Sequence, residues 1–127
     1  MKVQRLDHFA IEVGDLERAQ RFYTEVLGLP VVMRLHNQVL FNCGDQNLAL
    51  FEVPRVPLEP NARQARIGSP LGKGHHAFRV NADDFATARE RLSAAGVESA
   101  APIDWGDHDC LYFLDPDGNL LELINYR

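Results

Sequence analysis

Polar and apolar residues alternate along His8-Phe9-Ala10-Ile11-Glu12-Val13, and the same cadence returns at His75-His76-Ala77-Phe78-Arg79-Val80. A two-residue period predicts strands, over residues 4–13 and 75–80, each with one face toward a core. After the first strand, Asp15 is a good N-cap for a helix whose apolar stripe runs Leu16, Ala19, Phe22, Tyr23 and Val26, and Gly28 and Pro30 stop it. After the second, Asn81 or Asp83 caps a stripe of Phe85, Ala88 and Leu92 that closes at Gly96. Three short strand segments follow each helix: 31–35, 38–43 and 47–53 in the first half, 97–102, 109–114 and 120–125 in the second. Each half therefore reads strand, helix, strand, strand, strand, an α+β chain of two βαβββ modules in tandem.

The modules occupy residues 1–53 and 75–127. Between them, residues 54–74 hold Pro54, Pro57, Pro60, Pro70 and three glycines, a composition that predicts a linker loop without helix or ladder. A segment of that length commonly serves as a lid or an exchange arm.

Strand alternation decides which side chains share a surface. His8, Ala10 and Glu12 point to an open face while Phe9, Ile11 and Val13 meet the helix; likewise His75, Ala77 and Arg79 are open and His76, Phe78 and Val80 lie under the second helix. In the last strand Leu120, Glu122 and Ile124 face one way and Leu121 and Leu123 the other. A carboxylate among apolar neighbours is costly unless paired or bound to a cation. His8 and His75 around a metal would supply that partner. Two imidazoles and a carboxylate from different strands form the facial set used for divalent ions with open coordination positions, where substrate binds. Matching Asn47-Leu48-Ala49-Leu50 to Asn119-Leu120-Leu121-Glu122 sets Leu50 opposite Glu122, which leaves three ligands rather than four.

Composition narrows the partners. With 127 residues, 46% of them hydrophobic, the chain can bury about two thirds of its unfolded surface in one compact domain. Its net charge of −5 comes from interspersed acids and bases, which argues against nucleic acid and anionic membrane and leaves a small-molecule substrate. No apolar run reaches the roughly 18 residues of a membrane span and no secretory core is seen, so a cytoplasmic location is expected. Cys43 and Cys110 form no metal or disulfide motif and read as small strand residues.

Leu6-Asp7-His8, Ala19-x-x-Phe22-Tyr23-x-x-Val26-Leu27-Gly28, His75-x-Ala77-Phe78 and Tyr112-Phe113-Leu114-Asp115-Pro116-Asp117-Gly118-Asn119-x-x-Glu122 together resemble the vicinal oxygen chelate superfamily over essentially the whole chain. Its members include glyoxalases, extradiol dioxygenases, fosfomycin-resistance thiol transferases, epimerases and bleomycin-binding proteins. The resemblance implies curved mixed sheets around a metal-centred cleft and carries the ligand positions onto His8, His75 and Glu122. The divalent ion could be iron(II), manganese, nickel or zinc.

Departures from subfamily patterns prune the reactions. Leu50 stands where glyoxalases bring a second carboxylate, which argues against a lactoylglutathione lyase. Ala10 and the acid-bearing segment Ala100-Ala101-Pro102-Ile103-Asp104-Trp105-Gly106-Asp107 replace the hydroxyl and cations that would hold a phosphonate, which argues against fosfomycin. An extradiol-dioxygenase-like reaction on a substrate chelated through vicinal oxygens is then the first expectation. A thiol-dependent lyase or transferase, its cosubstrate entering along 54–74, and a metal-free bleomycin-type binding protein are the alternatives. Tyr112 matches a tyrosine shared by the extradiol and fosfomycin groups and can donate to a bound substrate oxygen; its bland alternative is a cleft-wall aromatic. His108 and His36 can supply acid/base function, although the usual extradiol histidine position corresponds to Ile103. Ala10, Phe41, Trp105 and Arg79 are the substrate-binding candidates, Arg79 either holding a substrate carboxylate or pairing with Glu12, and Gln38 and Asn42 also project toward the cleft. Asp115-Pro116-Asp117-Gly118 reads as a type I turn rather than a ligand cluster. Exposed sheet edges predict a symmetric homodimer, with module exchange between chains as one route to completing the site.

Overall fold

The computed structural model describes residues 1–127. Its elements run β1 (His8–Val13), α1 (Leu16–Glu25), β2 (Val31–Arg34), β3 (Gln38–Cys43), β4 (Gln46–Glu52), α2 (Pro60–Gly68), β5 (His76–Arg79), α3 (Ala82–Ala94), β6 (Ile103–Asp104), β7 (His108–Leu114) and β8 (Leu120–Tyr126). The chain divides into two compact units, Met1–Val56 and Pro57–Arg127.

In the first unit the strand order is β1-β4-β3-β2, β1 parallel to β4 and the other pairs antiparallel. The alternation of β1 is realised: Ile11 and Val13 are buried, His8, Ala10 and Glu12 exposed. Helix α1 starts where Asp15 accepts from the Arg18 amide and Glu52 accepts from the Leu16 amide at 3.0 Å. It buries Leu16, Ala19, Phe22 and Tyr23, and the Tyr23 ring lies 6.0 Å from that of Phe41. Each large side chain buried there contributes about 1.5–3 kcal/mol.

The second unit repeats the plan as β5-β8-β7-β6, again with one parallel pair, β5 on β8. Asn81, not Asp83, caps α3, accepting from the Asp84 amide at 2.8 Å. The sheet is covered on both faces. Leu121, Leu123 and Phe78 are buried on one side, and on the other Ile67 of α2 packs with Cys110, Tyr112, Leu114 and Leu120.

Three expectations about the elements are corrected. Residues 60–68, read as loop, form α2: Pro60 stands in the first turn, where its missing N–H costs nothing, and Arg63 and Arg66 anchor the helix to the carbonyls of Asp115, Pro116 and Gly118. Residues 97–102 form no continuous strand. Ser99 bridges Phe113 and the Ala100 amide donates to Tyr112 O at 2.8 Å, but Pro102 interrupts the ladder and regular pairing resumes only at Ile103–Asp104. The first strand begins at His8 instead of residue 4. No helix is long and apolar enough to cross a membrane.

Candidate metal centre and substrate face

Register sets the site. In β5, β8 and β7, Ala77 pairs with Glu122 and Glu122 with Tyr112, so these side chains share one face of the second sheet. His75, immediately before β5, reaches the same point: its Nε2 stands 2.8 Å from Glu122 Oε2, and its ring meets that of Tyr112 edge-on at 5.2 Å. Glu122 is 6% exposed and Tyr112 5%. The other imidazole nitrogen of His75, Nδ1, lies 2.8 Å from Lys73 O, and a carbonyl can only accept, so Nδ1 carries a proton. Nε2 then faces the Glu122 carboxylate across 2.8 Å, a gap that either a proton on the ring or a cation held by both groups would bridge. A carbonyl that fixes the tautomer behind a ring nitrogen is also the support metal-bound histidines have. An imidazole nitrogen and a carboxylate oxygen at this separation are donors of a kind that fits a divalent ion.

The remaining predicted residues fall elsewhere. His8 belongs to the first unit, exposed on the open face of β1 with Ala10, and its Nδ1 is 2.8 Å from Asp7 Oδ1. That hydrogen bond holds the Asp7 carboxyl below the usual carboxylate range. No group of three His, Cys, Asp or Glu side chains able to hold a metal is assembled in the structure. Phe41 is corrected from substrate-binding to core: it pairs with Leu48 on the side of β3 and β4 that α1 covers, and it is fully buried. The module match is corrected as well. Ala10 and Ala77 are equivalent, and Ala10 pairs with Ala49 while Ala77 pairs with Glu122, so Ala49 and not Leu50 is the counterpart of Glu122. Alanine cannot ligate either, so the first module still lacks a carboxylate at this position.

His108, Trp105 and Arg79 gather away from Glu122. His108 lies four residues along β7 from Tyr112, about 13 Å at strand spacing, with Nδ1 2.6 Å from Asp107 Oδ1 and its ring between those of Trp105 and Tyr126. Arg79 sits over the Tyr126 ring, Cζ 5.2 Å from the centroid. Cys110, read from the sequence as a strand filler, is a buried core residue of β7 beside Tyr112, and the Trp105 indole N–H donates to its Sγ at 3.3 Å. Burial pushes its thiol up, the indole N–H opposes this, and adjacent Glu122 adds to the rise. Burial, then the Glu122 charge, also raise the Tyr112 phenol. A pocket of about 500 Å³ opens beside this face, bounded by Ile67, Pro70, Leu71, Ala100 and Ile103.

Residues 5–123 match the family Glyoxalase/Bleomycin resistance protein/Dioxygenase superfamily. The chain belongs to this superfamily. Among superfamily relatives, a glutathione transferase FosA from Serratia marcescens is 33% identical over 121 residues, covering 95% of this chain and 80% of the relative. A biphenyl-2,3-diol 1,2-dioxygenase from Rhodococcus globerulus is 30% identical over 122 residues, covering 94% of this chain and 62% of the relative. The fold matches the fosfomycin resistance protein FosX of Listeria monocytogenes, solved with Mn(II) and sulfate, at a TM-score of 0.79 and 20% identity, over 99% of this chain and 93% of that one. Superfamily membership thus spans both reaction types expected from the sequence.

Proposed function

We propose that the protein is a divalent-metal-dependent enzyme that binds a small substrate through two adjacent oxygens, with an extradiol-dioxygenase-like reaction as its first reading. The carrying observation is the approach of His75 Nε2 to Glu122 Oε2 at 2.8 Å with His75 Nδ1 committed to a carbonyl. His75 and Glu122 would hold the ion, and His8 would complete the set, from the same chain or from a second copy with modules exchanged. Iron(II) is the first candidate and manganese, nickel and zinc the others; bound there, the ion supplies Lewis acidity to the substrate oxygens.

The chain's own groups have definable tasks. The Tyr112 hydroxyl makes no hydrogen bond within the chain, which leaves it to donate to a substrate oxygen. Ile67, Leu114 and Leu120 pack with Tyr112 and Cys110 and would keep water from the part of this face nearest Tyr112. His108, steadied by Asp107, would exchange protons with substrate atoms at its own end of the face. The edge strand β2 leaves Val31, Val32 and Met33 exposed, which supports a symmetric homodimer.

A second reading, thiol transfer, is favoured by the 33% identity to a glutathione transferase. The pocket beside α2 would then admit the thiol.

Metal titration tests the proposal. Wild type should bind stoichiometric Fe(II) or Mn(II), and His75→Ala and Glu122→Gln should each abolish it. A wild type that takes up none of the four metals sinks the enzyme reading and leaves a binding protein of the bleomycin type. Oxygen uptake with a catechol panel, set against consumption of glutathione, separates the two reactions.

A further inference from the structure

Four side chains of the second sheet and its β6–β7 turn stack in one row. The Trp105 and His108 rings lie 6.3 Å apart at 19°, His108 and Tyr126 5.2 Å apart at 34°, and the Arg79 guanidinium covers Tyr126. Register builds the row: His108 pairs with Tyr126, Arg79 pairs with Ile124, and the Trp105 amide donates to His108 O at 2.9 Å. Trp105 and Tyr126 remain 51% and 48% exposed.

The charge around this row is unequally settled. Asp104 and Asp109 are held by Arg127 at 3.0 and 2.6 Å, and Asp107 by His108. Arg79 has no carboxylate partner, although the chain carries a net charge of −5. Its one contact is the face of a ring, which orients the guanidinium and leaves its N–H edges open to an acceptor. An oriented, unpaired guanidinium beside half-exposed aromatic rings suits a planar carboxylate, because the fork of donors matches two carboxylate oxygens.

We propose that Arg79, with the Trp105-His108-Tyr126 row, is a subsite for the carboxylate of an aromatic acid, so that the substrate class is an aromatic carboxylate. This deepens the functional reading above and rests on its assignment of this sheet face to substrate. Arg79 and His75 lie on the same face four residues apart, about 13 Å along the strand. A ligand spanning them would present its oxygens to His75 and Glu122 and its carboxylate to Arg79.

Trp105 is the chain's single tryptophan, so its fluorescence reports on the row directly. Titrated into metal-free protein, 3-phenylpropanoate should change Trp105 emission saturably and bind at least about tenfold tighter than uncharged 3-phenylpropanamide, the ratio one charge-assisted hydrogen bond supports. Arg79→Gln should remove that preference while leaving the amide's affinity and the melting temperature unchanged, and Arg79→Lys should keep part of it. Equal binding of acid and amide by wild type, an unresponsive Trp105, or a preference that survives Arg79→Gln would overturn the subsite. A separate Mn(II) titration reports on His75 and Glu122: metal binding lost with the acid preference intact defeats the metal reading alone, and the reverse defeats only the subsite.

Discussion

Arg63 of α2 grips Glu98 with two donors, Nε to Oε1 at 2.7 Å and Nη2 to Oε2 at 2.8 Å, and uses the rest of its guanidinium on the Asp115 and Pro116 carbonyls. The hydrogen bond to Arg63 holds the Glu98 carboxyl below the usual glutamate range. A depressed carboxylate contributes stability that is complete above its unfolded value, about 4.3, and is lost as pH falls through the folded one. Glu98→Gln should therefore lower stability at pH 7 by about 1–3 kcal/mol and flatten the acid limb of the stability profile. Denaturant melts of both proteins between neutral and acid pH check this; parallel profiles would refute it.

Gly118 occupies the turn between β7 and β8 with φ +84°, and a Cβ there would meet Leu58 Cδ1 at 2.3 Å. Gly118→Ala should cost about 1–3 kcal/mol, combining backbone strain with the clash. Adding Leu58→Ala should relieve the clash component only. Chemical denaturation of the two single variants and the double variant measures the coupling, which should be opposite in sign to additive loss.

Tyr112 spends its ring on packing and its hydroxyl on nothing in the chain. Tyr112→Phe should change stability by under about 0.5 kcal/mol and leave metal affinity intact. Turnover on whichever catechol or thiol substrate proves active should fall about 10–100-fold with little change in KM. Unaltered kcat would reduce Tyr112 to a wall of the cleft.

His76, beneath the second helix, titrates low, chiefly through burial and secondarily through the charge of His75. The unfolded chain thus takes up this proton first, so stability should decline as pH drops below about 6.5 and level off once the folded value is passed. His76→Gln should remove that slope in the range above the one governed by Glu98, as urea melts at closely spaced pH would show.

Much of this architecture was local and so legible in the chain. Period-two alternation assigned the faces of β1, β5 and β8, split the His75-His76 doublet, and set Glu122 on the face that His75 reaches. Side-chain caps at Asp15 and Asn81 likewise follow from residues within one turn of each helix start. The approach of His75 to Glu122 follows from their parity together with the parallel pairing of β5 on β8.

Other features depend on hydrogen bonds between segments far apart in sequence. Alternation fixes a face only relative to its own strand, and a one-residue shift in register exchanges the two faces, which is how Ala49 rather than Leu50 comes to match Glu122 and how Phe41 turns to the core. Helix α2 exists where prolines and glycines suggested a loop, because Arg63 and Arg66 are anchored on a turn about 50 residues downstream. The meeting of Arg79, Tyr126 and His108 is likewise a product of strand pairing, since only β5, β8 and β7 lying side by side bring them together, while Trp105 reaches His108 locally across the β6–β7 turn.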